Sequence, residues 1–97
     1  MDVETMLGFA VQYENNKVMI RGTLYDKKHP LHAAGAKAGD VIAELSGLSP
    51  SEINEVSLYE LVKKNAAGSI SIKVLNDQKA VFQGMIPVSE IKYAKRK

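Results

Sequence analysis

Side chains able to break or form bonds are few in this chain, and their spacing decides against catalysis. The serines Ser46, Ser49, Ser51, Ser57, Ser69, Ser71 and Ser89 fall in segments that read as turns, caps or strands. None sits in a Gly-x-Ser-x-Gly elbow, the strained turn that exposes a nucleophile. There are no cysteines, which excludes disulfides, thiolate zinc sites and cysteine nucleophiles. Asp26, His29 and His32 form one cluster of metal-ligating types, but around Pro30 in a polar loop they read as solvated side chains. The sequence therefore predicts no enzyme, no metal and no cofactor.

Charge is distributed unevenly. The net charge is +2, yet Lys92, Lys95, Arg96 and Lys97 stand together at the C-terminal end. The remaining nine basic and eleven acidic residues leave the body at −2. Four charges with a single aromatic, Tyr93, read as a solvated tail or linker start over residues 92–97 rather than as a nucleic-acid contact. Residues 1–91 are expected to form one domain. The chain's 97-residue length matches the smaller domain sizes, and 45% apolar with 25% charged residues is ordinary for a packed globule. No apolar run reaches the roughly 18 residues that cross a bilayer, and no signal-peptide pattern opens the chain.

The elements follow from periodicity. Phe9 to Tyr13 alternates as a half-buried strand, Asn15-Asn16 supplies a tight turn, and Val18 to Ile20 returns. Ala33 to Lys37 reads as a short helical turn, and Val41 to Leu45 as a strand. Ser49-Pro50-Ser51-Glu52 and Ser57-Leu58-Tyr59-Glu60 both have the form of helix caps. The second predicts a helix from Leu58 to about Asn65. Ile70 to Leu75 and Ala80 to Ile86 form a second hairpin turning at Asn76-Asp77, and Val88 to Tyr93 reads as one further short strand. The expected class is mainly β with two helices, a five- to six-stranded antiparallel, partly open barrel or sandwich.

Three segments, in order and spacing, make residues 6 to 86 resemble a PDZ domain. Met6-Leu7-Gly8-Phe9 is similar to the family's carboxylate-binding loop. Ala33-Ala34-Gly35-Ala36-Lys37-Ala38-Gly39-Asp40-Val41-Ile42 is similar to the join between the short helix and the following strand. Ser57 to Lys64 resembles the start of the groove helix. The short segment before Leu7 and the Ala-Ala-Gly-x-x-x-Gly-Asp wording resemble the bacterial type, found in C-terminal processing and other envelope proteases. The resemblance implies a non-catalytic module that captures a protein's C-terminal end by strand addition, within a larger protease-like protein of the cell envelope or periplasm. The expected partners are a peptide C-terminus with an apolar last residue and a protease domain on the same chain. No nucleic acid is expected, and no membrane contact through this segment.

The site expected on that basis has two parts. Gly8 would let the amides of Leu7, Gly8 and Phe9 converge as a nest for a carboxylate. Phe9, Ala10, Val11 and Gln12 on the strand, with Leu58, Val62, Asn65 and Ala66 on the helix, would line a groove for an added strand. Leu61 is expected to be core. Leu58, read as the first helical residue, would favour an apolar ligand side chain. Asn65 departs from the family's pattern, standing where an apolar residue usually closes the pocket, and Ala36 stands where a larger aliphatic is common. Asn65 keeps open an alternative, a degenerate domain that docks to a neighbour and takes no peptide. Affinity for a peptide is expected on the order of micromolar to tens of micromolar.

Overall fold

Two asparagines shape the first hairpin. In the structure, a computed structural model describing residues 2–90, Asn15 and Asn16 have φ of 46° and 65°. Two successive left-handed residues make the turn whose twist matches that of paired strands. From it run β1 (Phe9–Glu14) and β2 (Lys17–Thr23), with Glu14 opposite Lys17. The same device joins β4 (Ser69–Asn76) to β5 (Lys79–Pro87), through Asp77 and Gln78 at φ 47° and 66°. This turn lies one residue later than the sequence predicts. Asn76 stays in the ladder opposite Lys79, and its amide donates to the buried Asp40 carboxylate at 2.7 Å.

With β3 (Val41–Leu45) between the hairpins, the sheet runs β1-β2-β3-β4-β5, antiparallel throughout. The fold is mainly β, as expected. Among the described residues the sheet stays open rather than closing into a barrel, so β1 and β5 are its edges.

Among the described residues three α-helices accompany it, and each start is set by a cap. Asp2 accepts from the Thr5 amide at 3.1 Å and the Thr5 hydroxyl at 2.6 Å, starting α1 (Val3–Leu7) where the sequence reading has only a loop. α2 (Pro30–Ala33) begins earlier than Ala33, because the His29 imidazole caps Leu31 and Pro30 takes the first helical position. α3 spans Glu55–Lys64 and not Leu58 to Asn65. Asn54 accepts from the Val56 and Ser57 amides, both at 2.9 Å, while the Ser57 hydroxyl accepts from the Asn54 amide at 2.9 Å. Ser57 thus closes a capping box opened by Asn54 instead of opening its own. Pro50–Glu52 is a single 3-10 turn.

The core fills the space between sheet and helices. Met6, Leu7, Phe9, Ile20, Leu31, Ile42, Leu45, Val62, Ile70, Val74 and Ile86 are all fully buried. Met6 and Leu7 draw α1 into this core, and Ala36 is buried too. The expected strand from Val88 is absent through Glu90. Val88 is instead buried as a loop residue, its amide donating to Gly68, and the Ser89 amide donates to the Met6 carbonyl. Residues 91–97, with the basic cluster, lie outside the described residues.

Candidate peptide groove

Among the described residues β1 has a neighbour on one side only, and the phase of its ladder decides which backbone groups remain unpaired there. Glu14 and Lys17 flank a two-residue turn and form a hydrogen-bonded pair. Antiparallel pairs alternate between bonded and non-bonded, so Tyr13 and Val11 turn their N–H and C=O groups away from β2. At the other end Leu24 donates to the Gly8 carbonyl at 2.8 Å, which puts Phe9 in the same outward phase. The register shift between Ala10 and Val11 is absorbed by an extra residue near Arg21 on β2. Phe9, Val11 and Tyr13 therefore present a strand-length row of backbone groups that no described residue pairs.

The side chains of those three residues form one wall of a groove of about 590 Å³. Glu55, Val56, Leu58 and Tyr59 of α3 form the other wall, and Val3, Glu4 and Leu7 of α1 border it with Arg21. The floor is apolar: Phe9 is fully buried, Leu58 nearly so, and Val11 half-buried. Val56 is 72% exposed and Tyr59 41%, an apolar rim without cover. Burial, and secondarily the Glu55 carboxylate, raises the Tyr13 phenol above its ordinary pKa.

The groove brings together Leu7, Phe9, Val11 and Leu58 from the residues named in the sequence. It leaves out the others. Ala10 is buried without lining it, and Gln12 is exposed, donating to Glu14 at 2.9 Å. Val62 lies in the core, Ala66 is partly buried against it, and Asn65 ends α3 with its side-chain amide on the Leu61 carbonyl at 2.8 Å. Asn65 and Leu61 border a different depression, beside Ser46 and Leu48. The reason is the helix start. With α3 beginning at Glu55, the residues facing β1 are one turn earlier than a start at Leu58 implies, and Leu58 is a buried second-turn residue. Asn65 therefore does not close this groove, and Leu58 is not positioned as a first-residue selector.

The loop also differs from the expected nest. Leu7 is the last residue of α1, and Gly8 is its left-handed cap at φ 89°, with its amide donating to the Glu4 carbonyl at 2.8 Å. Three convergent unpaired amides are not what the loop holds, because the helix end has taken one of them.

Behind the loop lies His29, 9% exposed and stacked on Tyr25 with centroids 4.6 Å apart. Its Nδ1 accepts from the Leu31 amide at 3.1 Å, which leaves the proton on Nε2, a buried nitrogen with no hydrogen-bond partner among the described residues. Burial pushes its pKa below the ordinary 6.5, against smaller opposing effects of the Leu7 backbone and Asp26. With the folded value lower than the unfolded one, the stability is full above pH 6.5. It is lost as pH falls from there toward the folded value, because the unfolded chain takes up the proton first. Urea unfolding between pH 7.5 and 5 should show this as a slope no steeper than about 1.4 kcal/mol per pH unit. His29→Gln should flatten it, and an unchanged slope would remove His29 as the cause.

No protein-family model matches this chain, and no curated protein matches it. Several solved structures share its architecture, two of them as follows. The HtrA-type protease AlgW, determined with a decapeptide, superposes with a TM-score of 0.67 at 17% identity over 91% of this chain. An aminopeptidase N family protein from Idiomarina loihiensis superposes with a TM-score of 0.60 at 14% identity over 87% of it. The chain spans 30% of the length of the first and 14% of the second. HtrA proteases carry PDZ domains, and the fold of this chain is the PDZ fold.

Proposed function

We propose that this domain binds extended peptides, capturing the C-terminal end of a protein as a strand added to β1. The observation that carries the reading is the outward phase of Phe9, Val11 and Tyr13 beside an apolar groove. An added strand would satisfy those backbone groups, and its alternate side chains would enter the groove. Burying one Val- or Leu-sized side chain there contributes about 1.5–3 kcal/mol, so an apolar last residue is favoured. The module recruits or regulates substrates for a larger, protease-like protein of the bacterial envelope. It performs no chemistry itself. A docking role toward a neighbouring domain is the second reading, and it draws on the Gly8 amide being already bonded to Glu4.

Val11→Glu tests the first reading. Val11 is half-buried on the groove wall, so the variant should fold. A bound strand would then cover an unpaired carboxylate, a loss of at least about 1–3 kcal/mol. Against a pool of octapeptides with free C-termini, affinity should fall about tenfold or more. A folded Val11→Glu domain that binds the pool as well as the parent would place binding elsewhere.

A further inference from the structure

Glu4 holds two partners at once, the Gly8 amide of the loop and Arg21, and Arg21 lines the groove with it. Its backbone carbonyl accepts the Gly8 amide at 2.8 Å, and its carboxylate accepts from the Arg21 guanidinium at 2.7 Å. Among the described residues, Arg21 is the one basic side chain that lines the groove. It is 59% exposed and Glu4 46%, so neither is required by core packing. An exposed pair of this kind holds its partners weakly, and a helix of five residues has little stability of its own.

We infer that Arg21 is a ligand-carboxylate-binding residue, and that Glu4 is an internal stand-in which the ligand displaces. The inference rests on the peptide-binding reading above. Glu4 presents to the loop amide and to the guanidinium the oxygen acceptors that a ligand's end would present. Arginine's planar fork takes a carboxylate in two parallel bonds, a gain over the single 2.7 Å contact with Glu4. The groove is also polarised. Arg21 lies at the α1 end, opposite the start of β1, while the Glu55 carboxylate lies beside Tyr13 at the far end. A peptide with its carboxylate on Arg21 runs antiparallel to β1, as strand addition in this antiparallel sheet extends it. The ligand class is a peptide whose last residues carry a carboxylate, from the terminus or from an Asp or Glu side chain close to it.

The test compares the parent with Glu4→Gln, Arg21→Gln and the double variant by fluorescence anisotropy. Both substitutions are on the surface and should leave thermal unfolding little changed. The probes are pools of octapeptides with free or amidated C-termini, each made with either acidic or amide side chains at the last two positions. Glu4→Gln releases Arg21 and should tighten carboxylate-bearing peptides about two- to fivefold. Arg21→Gln should weaken them by a similar factor and cancel that gain in the double variant. Sensitivity to Arg21→Gln confined to free C-termini makes the terminus the source. Sensitivity that survives amidation but needs acidic side chains makes the side chain the source. Either pattern supports the assignment. If the parent binds peptides and neither substitution changes affinity, Arg21 is not a ligand residue, although the groove reading stands. If neither the parent nor Glu4→Gln binds any pool, the groove reading fails and this inference with it.

Discussion

Gly8→Val is expected to destabilise the domain by about 2–4 kcal/mol, the largest effect of any single change in the loop. Gly8 sits at φ 89°, where an L residue meets a backbone penalty of about 1–2 kcal/mol and a β-branched one more. A Cβ added there would also approach the Tyr25 Cβ to 3.3 Å and the His29 ring to 3.4 Å. His29 cannot easily retreat, because its Nδ1 caps α2 and its ring is stacked on Tyr25. For a domain of ordinary stability, about 5–15 kcal/mol in total, such a loss is readily measured in a guanidinium melt. Gly8→Asn should be milder, since asparagine tolerates the left-handed region. A Gly8→Val protein within about 0.5 kcal/mol of the parent would mean that the tight left-handed cap, and the packing of His29 behind it, are wrong.

Legibility in the sequence divides along the range of the interactions. The hairpin at Asn15-Asn16 and the strand from Val41 to Leu45 were visible because local turn chemistry and alternation determine them. Helix starts were harder, because two overlapping capping patterns compete. Ser57-x-x-Glu60 has the usual form of a box, whereas Asn54-x-x-Ser57 forms one with a serine in the place of the usual Glu or Gln. Asn54 prevails because Ile53, immediately before it, is buried in the core and fixes where the chain enters the helix. That three-residue difference moved Glu55, Val56 and Tyr59 into the groove and Asn65 out of it. Asp2 and Thr5 are a cap spaced like others in the chain, and they were the available signal for α1. Alternation from Phe9 and Val11 would likewise have reached Tyr13. Nothing local marks Arg21, whose place in the site depends on a strand register and on a helix from a different part of the chain.

Amide hydrogen exchange at β1 tests the central claim most directly. Added strands protect the amides they pair with, so a bound peptide should slow exchange at Phe9, Val11 and Tyr13. Ala10, Gln12 and Glu14 face β2 in the free protein, and their protection should change far less. With peptide at about a hundred times its dissociation constant, protection of the outward amides can rise by up to about a hundredfold. The measurement uses the octapeptide pool's tightest free-terminus member and nuclear magnetic resonance on the whole chain. The account predicts protection at 9, 11 and 13 that alternates with little change at 10, 12 and 14. Saturating peptide that leaves 9, 11 and 13 as exchangeable as before, or protects the Ser46, Leu61 and Asn65 face instead, would contradict it.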